Sequence, residues 1–324
     1  MKLIKKIILI ILFLVTAVVA NDSTKHILVL HSYNKSMTWE INIDKAIVDI
    51  LQPPKNGYIL HTEYMDTKRV FTKEYIEELK QLYSIKYKDV KLDMILSSDN
   101  NAFNFLRKNR DKLFGNIPTV FCGVNFFKDS DLDGLSNYTG VAENFDAKST
   151  VKTALKLLPK TKKIYIINDY LTTGRTWEKT IKEQLKEYNN IKISYNKNLS
   201  MEQLQQKVHT LDEDSIVLLG VYFKDKNGRY FTYEKVGTLI SSSSDVPVFC
   251  LLKFNIKGEV IGGEVIGGYY QGKAMAKIAQ KVLSGTKISS IHVMKDGATK
   301  GIYNYKGLSK YNIKFDNILT LYFS

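Results

Sequence analysis

From residue 26 onward, short apolar runs alternate with longer segments in which apolar residues recur at helical spacing. YILHTEY (58–64), LDMILSS (92–98) and IPTVFCGVN (117–125) are three such runs. The segment after HILVLH (26–31) shows the spacing i, i+4, i+7, i+8, i+11 in Trp39, Ile43, Ala46, Ile47 and Ile50. Strands that are apolar almost throughout and are separated by helices predict a parallel sheet covered on both faces.

The same alternation appears again in the second half of the chain. Its apolar runs are KIYIIN (163–168), IKISY (191–195), SIVLLGVYF (215–223) and VPVFCLLKF (246–254). Two of the runs, IPTVFCGVN and VPVFCLLKF, each carry a proline near the start and arrive late in their half. The sequence therefore predicts an α/β protein with two Rossmann-like lobes of similar build.

Four glycines, Gly262, Gly263, Gly267 and Gly268, precede an alanine-rich segment of helical period. We interpret them as an interruption of the sheet pattern, because paired glycines permit unusual backbone angles and close approach. They would suit a hinge crossing or a wall of a binding cleft. A phosphate-binding turn is the rival interpretation, but GGEVIGG lacks the G-x-G-x-x-G spacing.

The first twenty residues have the pattern of a secretory signal peptide. Lys2, Lys5 and Lys6 precede an apolar run over 7–15, and small residues follow up to Ala20. An uncleaved signal anchor is the alternative, because the run is near the lower length limit for a membrane span. The flanks favour cleavage, so we expect a periplasmic protein.

The formal net charge of +14 raises the possibility of nucleic-acid binding. Acidic residues are interleaved with the lysines, however, and no basic cluster with periodic aromatic residues occurs, so we expect no nucleic-acid partner. The two cysteines, Cys122 and Cys250, fall at matching places in core strands of separate lobes. A disulfide between them is geometrically implausible, and we expect two buried free thiols.

Motifs for catalysis, metals or cofactors are absent from the sequence. The five histidines are scattered without metal-ligand spacing, and there is no G-x-S-x-G elbow. His31, at a strand end, could serve as an acid–base group, but a histidine satisfied at the edge of the core is the more ordinary interpretation. We therefore expect no enzyme activity, no metal and no cofactor.

Polar and aromatic residues follow most of the predicted strands where each strand ends. In open parallel sheets, ligands bind at the carboxyl ends of the strands. Polar groups mixed with rings suit a small organic ligand with an apolar body and polar ends. The candidate residues at these exits are Ser32, Tyr33, Asp66, Ser98, Asp99, Asn100, Gly123, Asn125, Tyr170, Tyr222, Phe223 and Lys253.

Several of these residues have a purely structural alternative. Ser98 or Asp99 could be the N-cap of a helix beginning near Asn100, and the pair Asp66-Thr67 could cap the helix that carries Tyr75. Capping alone could likewise explain the run 172–174 before the next helix. Trp39 lies in the apolar stripe of its helix, which by itself predicts a core residue.

The chain resembles the ABC-transporter substrate-binding family with a type I periplasmic-binding-protein fold. MILSSDNNAFNFL (94–106), IPTVFCGVNFF (117–127) and GGYYQGKAMAKIAQKVLSG (267–285) carry much of this resemblance, which runs over nearly the whole chain after the leader. LHSYNKSMTWE (30–40) and NDYLTTGR (168–175) resemble a branch that supplies extracytoplasmic sensor domains of histidine kinases and diguanylate cyclases.

The resemblance implies two lobes joined by a multi-strand hinge that close on a small ligand. Lobe 1 would span 25–142 and be completed by about 268–290, and lobe 2 would span 143–265 and be completed by about 296–324. By analogy, the cleft would also receive Asn101, Thr173 and Gly174. The sensor-branch segment favours a pocket role for Ser32 and Tyr33, with Trp39 as the packed ring that positions them.

The function that we expect from the sequence is capture of a small organic ligand, aromatic or amino-acid-like, for an ABC permease. The alternative is a ligand-sensing component that serves a separate membrane kinase or cyclase. The sequence ends at YNIKFDNILTLYFS with no output domain, which for a complete chain would exclude a signalling enzyme in one polypeptide. We expect a monomer or a weak dimer.

Overall fold

The structure is a computed structural model that describes residues 24–314. The predicted signal peptide at 1–20 and the residues after 314 lie outside this range. Among the described helices, none combines the length and the hydrophobicity needed to cross a bilayer.

The first sheet has five parallel strands in the order β2-β1-β3-β4-β5. They are β1 (Lys25–His31), β2 (Tyr58–Tyr64), β3 (Met94–Ser98), β4 (Thr119–Asn125) and β5 (Tyr138–Glu143). The helices between them are α1 (Thr38–Leu51), α2 (Lys73–Lys86) and α3 (Asp99–Leu113). This sheet and the helices packed on it form the first lobe.

The second sheet has six strands in the order β11-β10-β9-β8-β6-β7, and only β11 runs antiparallel to its neighbour. The strands are β6 (Lys163–Ile167), β7 (Lys192–Tyr195), β8 (Ser215–Leu219), β9 (Val248–Cys250), β10 (Gly262–Ile266) and β11 (Thr299–Tyr303). The helices of this second lobe are α4 (Ala147–Leu157), α5 (Thr172–Gln184), α6 (Met201–His209), α7 (Tyr233–Ser243) and α9 (Tyr305–Lys310). Two α/β sheets of mostly parallel strands confirm the predicted fold class.

The chain passes between the two lobes three times. It first leaves β5 for α4, whose Val151 packs in the core of the second lobe. It returns from β10 into α8 (Gly268–Leu283), whose Met275 packs against Ile43 of α1 in the core of the first lobe. It crosses finally after Met294, which forms a bridge with Val141 of β5, and continues into β11.

The interpretation of the glycine pairs as an interruption of the sheet is wrong for Gly262 and Gly263, which lie inside β10. A Cβ at Gly262 would lie 1.9 Å from the carbonyl oxygen of Ile302 in β11, so this strand pair requires glycine. Gly268 serves a different contact. A Cβ there would lie 2.4 Å from the Trp39 carbonyl oxygen, so glycine lets α8 pack directly on α1.

Other sequence predictions hold where the structure describes them. Ile43, Ala46 and Ile47 of α1 are buried, as the helical stripe predicts. Each of the two buried isoleucines contributes roughly 1.5–3 kcal/mol by leaving water. Cys122 and Cys250 are buried and free, which confirms the expectation of two unpaired thiols.

Candidate functional site

A cavity of about 350 Å³ lies between the two lobes and is lined by both. We call it the cleft. It lies where the strands of the two sheets end, as expected for parallel sheets. The first lobe contributes Tyr33, Met37, Thr38, Trp39, Lys68, Asp99, Asn125 and Glu143, and the second contributes Thr173, Trp177, Val221, Phe223, Phe231, Thr232, Tyr233, Glu234, Leu252 and Phe254.

Aromatic rings form a continuous row across the cleft. The ring of Trp39 in the first lobe meets Phe254 of the second with centroids 6.3 Å apart. Phe254 stacks on Tyr233 at 5.9 Å with an interplanar angle of 10°, and Tyr233 contacts Phe223 at 4.3 Å. Such rings offer large apolar faces to a ligand at low entropic cost, because each has only two side-chain torsions.

Asp99 places a buried carboxylate at the edge of this row. It is the first residue of α3, and its φ of 66° lies in the left-handed region that aspartate tolerates better than most side chains. The indole nitrogen of Trp39 donates a hydrogen bond to Asp99 Oδ2 at 3.1 Å. Burial and the charges of Glu40 and Glu143 raise the pKa of Asp99 well above its usual value.

Glu143, the last residue of β5, supplies a second carboxyl group. Asn125 Nδ2 donates to its Oε2 at 3.1 Å. Burial raises the pKa of Glu143 to about 8, against the opposing influence of Asn125 and Lys68. Lys68 lies with its amino group 4.6 Å from the centroid of the Tyr33 ring. The cleft thus combines carboxyl groups, one amino group and a row of rings.

A buried charged cluster lies directly behind the first-lobe wall. His31 Nδ1 lies 2.7 Å from Glu40 Oε2, and its Nε2 lies 2.8 Å from Asp44 Oδ1. The other oxygen of Glu40 accepts the backbone N–H of Tyr33 at 3.2 Å. The hydroxyl of Ser98 donates to Glu40 at 2.9 Å. These contacts fix the ends of β1 and β3, and with them the backbone that presents Tyr33 and Asp99.

The structure places the sequence candidates in three groups. Those that line the cleft are Tyr33, Trp39, Asp99, Asn125, Thr173 and Phe223. Those that support its wall from behind are Ser32, Ser98, Asn100, Asn101 and Gly123. Those that lie outside the cleft lining are Asp66, Tyr170, Gly174, Tyr222 and Lys253.

The supporting group holds the strand exits together. Ser32 Oγ donates to the Ser98 carbonyl at 2.6 Å and accepts the backbone N–H of Ala102 at 2.8 Å. Asn100 binds both backbone polar groups of Asn125, at 3.0 and 3.1 Å. These side chains therefore position the residues that face the cleft.

The residues outside the lining have their own contacts. Asp66 forms a salt bridge with Arg69 at 2.6 Å. Tyr170 donates to the Asn196 carbonyl at 3.1 Å, and Tyr222 is buried in the core of the second lobe. Gly174 is buried, and a Cβ there would lie 2.3 Å from Asp169 Oδ1. Lys253 lies over the ring of Tyr270.

The capping alternatives are confirmed at one helix, where Ser98 is the N-cap residue, and are wrong at the other two. Ser98 is the N-cap residue of α3, but its side chain makes no capping hydrogen bond there. Thr72, and not Asp66 or Thr67, caps α2 by accepting the N–H of Tyr75 at 3.2 Å. The N-cap of α5 is Leu171, also without a side-chain bond.

Sequence reasoning missed several lining residues, among them Lys68, Glu143 and Tyr233, whereas Phe254 follows the predicted strand VPVFCLLKF and lies at its exit beside Lys253. Glu143 ends β5, and the mixed composition of YTGVAE does not predict a strand there, so the sequence gives no strand exit at this residue. Tyr233 lies at the start of α7, after a loop that follows β8. A loop that returns to the cleft leaves no periodic signal, although its run of rings (RYFTY, 229–233) was visible. Within residues 24–314, no group of three or more His, Cys, Asp or Glu is arranged to hold a metal ion.

Solved structures with this architecture include several binding proteins. A ligand-free, open substrate-binding protein with adhesive properties from Clostridium difficile shares 15% identity, with a TM-score of 0.63 over 90% of this chain and 96% of the other. An ABC domain from Streptococcus pneumonia in complex with L-Trp also shares 15% identity, with a TM-score of 0.57 over 91% and 98%.

A more distant neighbour is the periplasmic binding protein of the arabinose ABC transporter from Shewanella sp. ANA-3. It is 11% identical, with a TM-score of 0.53 over 92% of this chain and 98% of the other. At such identities the likeness concerns the fold alone, which is that of type I periplasmic binding proteins. No curated protein matches the sequence closely enough to count as a relative.

Family membership follows from the sequence itself. The profile of the family described as ABC transporter substrate binding protein matches residues 83–322, which is more than half of the chain. This is a family of solute-binding proteins and not of enzymes. The fold, the cleft between two lobes and this match agree, and the chain belongs to the ABC transporter substrate-binding protein family.

Proposed function

We propose that the protein captures one small organic solute in the cleft and delivers it to an ABC-type importer from the periplasm. The observation that carries the proposal is the cavity of about 350 Å³ enclosed by rings from both lobes. A cavity of this size suits a small solute with an apolar body. A ligand held by both lobes favours their closed arrangement, which a membrane partner can recognise.

An importer is proposed as the partner, in preference to a separate membrane kinase or cyclase, because the matched family is one of transporter proteins. The two partners predict different neighbours for the gene. A permease and an ATPase gene beside it would support import, whereas a kinase or cyclase gene would support ligand sensing instead.

Solute capture is tested by thermal shift and calorimetry on the protein purified without its first twenty residues. A bound solute should raise the melting temperature by mass action, since it binds the folded state alone. Native mass spectrometry of protein from its own host should show a co-purifying small molecule. Failure to bind any member of a broad screen of amino acids, amines, carboxylates and aromatic compounds would contradict the proposal.

A further inference from the structure

The charges that line the cleft are strongly unequal. Asp99, Glu143 and Glu234 bring three carboxyl groups to its walls. Among the described lining residues, Lys68 is the only cation. It forms a salt bridge with neither Asp99 nor Glu143 in the described part of the chain, and its amino group lies over the ring of Tyr33. The cleft therefore carries an excess of carboxyl groups over cationic groups, and no salt bridge from its own described walls pairs Asp99 or Glu143.

Four helices begin at the cleft, and a helix start ordinarily attracts an anion. One of them is α1, whose Thr38 lines the cleft and whose first turn carries Glu40. Here each start already has a carboxylate of the protein. Asp99 is the first residue of α3, and Glu234 lies in the first turn of α7. Asp169, just before α5, accepts the N–H groups of Leu171 at 3.1 Å and Phe223 at 2.8 Å. An anionic ligand would find these positive ends neutralised.

Because Asp99 and Glu143 are buried, a bound cation would stabilise their ionised forms, which a neutral or anionic solute would not. Two nearby carboxylates in a buried site cannot both ionise cheaply, because each loses hydration and repels the other. Asp99 has one neutral donor, Trp39, and Glu143 has one, Asn125. Both residues line the cavity, and in the described part of the chain no further hydrogen bond engages their carboxyl groups, so an ammonium N–H could bind them.

The rings complete a cation site. Trp39 and Tyr33 lie on the same wall as the carboxylates, and ring faces attract an ammonium group by their quadrupole. Burial, together with Asp99 and Glu143, raises the pKa of Tyr33, so its phenol stays neutral. The rings of the opposite lobe, Tyr233 and Phe254, would then contact the apolar remainder of the solute.

We infer that the solute is a cation, a protonated amine or another fixed positive charge on an apolar body, held by Asp99 and Glu143 between the rings of the cleft. This inference rests on the proposed solute-binding function. An amino acid satisfies it if its ammonium group meets the two carboxylates and its carboxylate meets Lys68. A simple carboxylate or a neutral alcohol does not.

Proton exchange gives an independent signature. The ionisable groups around Glu143 are Asp99 on α3, Tyr233 on α7 and Lys68 and Tyr33 from the first-lobe loops, with the amide of Asn125 from β4. With a pKa of about 8, Glu143 is largely protonated at pH 7 in the empty cleft. An ammonium group that binds there should therefore displace a proton to solvent.

The experiment uses matched probes. Indole, phenyl, cyclohexyl and butyl bodies are each tested as the primary amine, the amino acid, the carboxylate and the neutral alcohol. Calorimetry on the mature protein should find the tightest binding for an amine or amino acid, about tenfold or more tighter than the carboxylate or alcohol on the same body. Amine binding at pH 7 should also release protons, seen as a heat that varies with the ionisation enthalpy of the buffer.

Two variants assign the charge to its residues. Asp99→Asn and Glu143→Gln keep size and should each weaken amine binding about tenfold or more, and Glu143→Gln should reduce proton release. Glu183→Gln, at an exposed pair with Lys186, is the control and should change neither. The alcohol of the same body should bind the variants and the wild type equally.

Tighter binding by a carboxylate or an alcohol would overturn the cation inference and leave solute binding intact. Undiminished amine affinity in both folded variants would also overturn it, because Asp99 and Glu143 would then not be the groups that bind the cation. If no probe binds, whether as amine, amino acid, carboxylate or alcohol, the result would instead count against the proposed solute-binding function itself. Melting curves of each variant show whether it is folded.

Discussion

Replacement of His31 by glutamine should destabilise the protein in a strongly pH-dependent way. The imidazole is fully buried between Glu40 and Asp44, and both carboxylates would lose their cationic partner. Removal of one member of a buried ion cluster commonly costs about 3–5 kcal/mol. The substitution should also loosen the end of β1, because Glu40 binds the backbone of Tyr33.

The pH dependence follows from the pKa of His31. Burial alone would lower this pKa, but the hydrogen bonds and charges of Asp44 and Glu40 outweigh burial and raise it from 6.5 to about 9. One pKa unit corresponds to about 1.4 kcal/mol, so the shift is worth about 3 kcal/mol. Because the folded-state pKa is the higher one, this stability is fully present below pH 6.5 and is lost as the pH rises through 9.

Denaturant unfolding of the wild type and of His31→Gln at pH 6.5 and pH 9.5 measures this directly. The difference in unfolding free energy between them should shrink by about 3 kcal/mol at the higher pH. His209→Gln is the matched control, since His209 also pairs with a carboxylate, Asp245 at 2.8 Å, but on the surface. A His31→Gln difference that stays constant between the two pH values would refute the reasoning.

Three further outcomes are expected. Tyr33→Ala should weaken solute binding about tenfold, by loss of ring contact, and leave the melting temperature nearly unchanged; a large loss of stability would contradict a contact role. Gly268→Ala should lower the free energy of unfolding by about 1–3 kcal/mol, because the new Cβ would lie 2.4 Å from the Trp39 carbonyl oxygen. Denaturant unfolding measures this, and unchanged stability would contradict the close packing of α8 on α1. Cys122 and Cys250 should react with a thiol reagent only after denaturation, and rapid labelling of the native protein would contradict their burial.

The sheets and most helices were predictable, because hydrophobic periodicity reports burial directly. The runs that form β1, β3, β4, β6, β8 and β9 are largely apolar and bounded by polar residues, whereas the edge strands β2 and β7 mix polar with apolar residues and are only partly buried. β5 has no clear periodic signal, because TGVAE mixes small and polar residues. β10 was hidden by Gly262 and Gly263, whose role is close backbone approach to β11 and not side-chain packing. Periodicity does not reveal such contacts.

The cleft was predictable only in part, for a related reason. Residues directly after a strand, such as Tyr33, Asp99 and Phe223, are located by the topology of a parallel sheet. Tyr233 reaches the cleft from a helix start after a loop, and its position there depends on how the second lobe faces the first. Local sequence contains no measure of that orientation.

The two lobes bring different chemistry to the same cavity. Asp99, Glu143 and Lys68 come from the first lobe, while four of the rings, Phe223, Phe231, Tyr233 and Phe254, come from the second. The two carboxyl groups assigned to the proposed cation, Asp99 and Glu143, and these four rings are thus encoded in separate stretches of the gene. A directed-evolution library limited to those four ring positions could change the size of the accepted body while the preference for its charge stays fixed. A library limited to Asp99, Glu143 and Lys68 could change the preferred charge while the accepted size stays fixed.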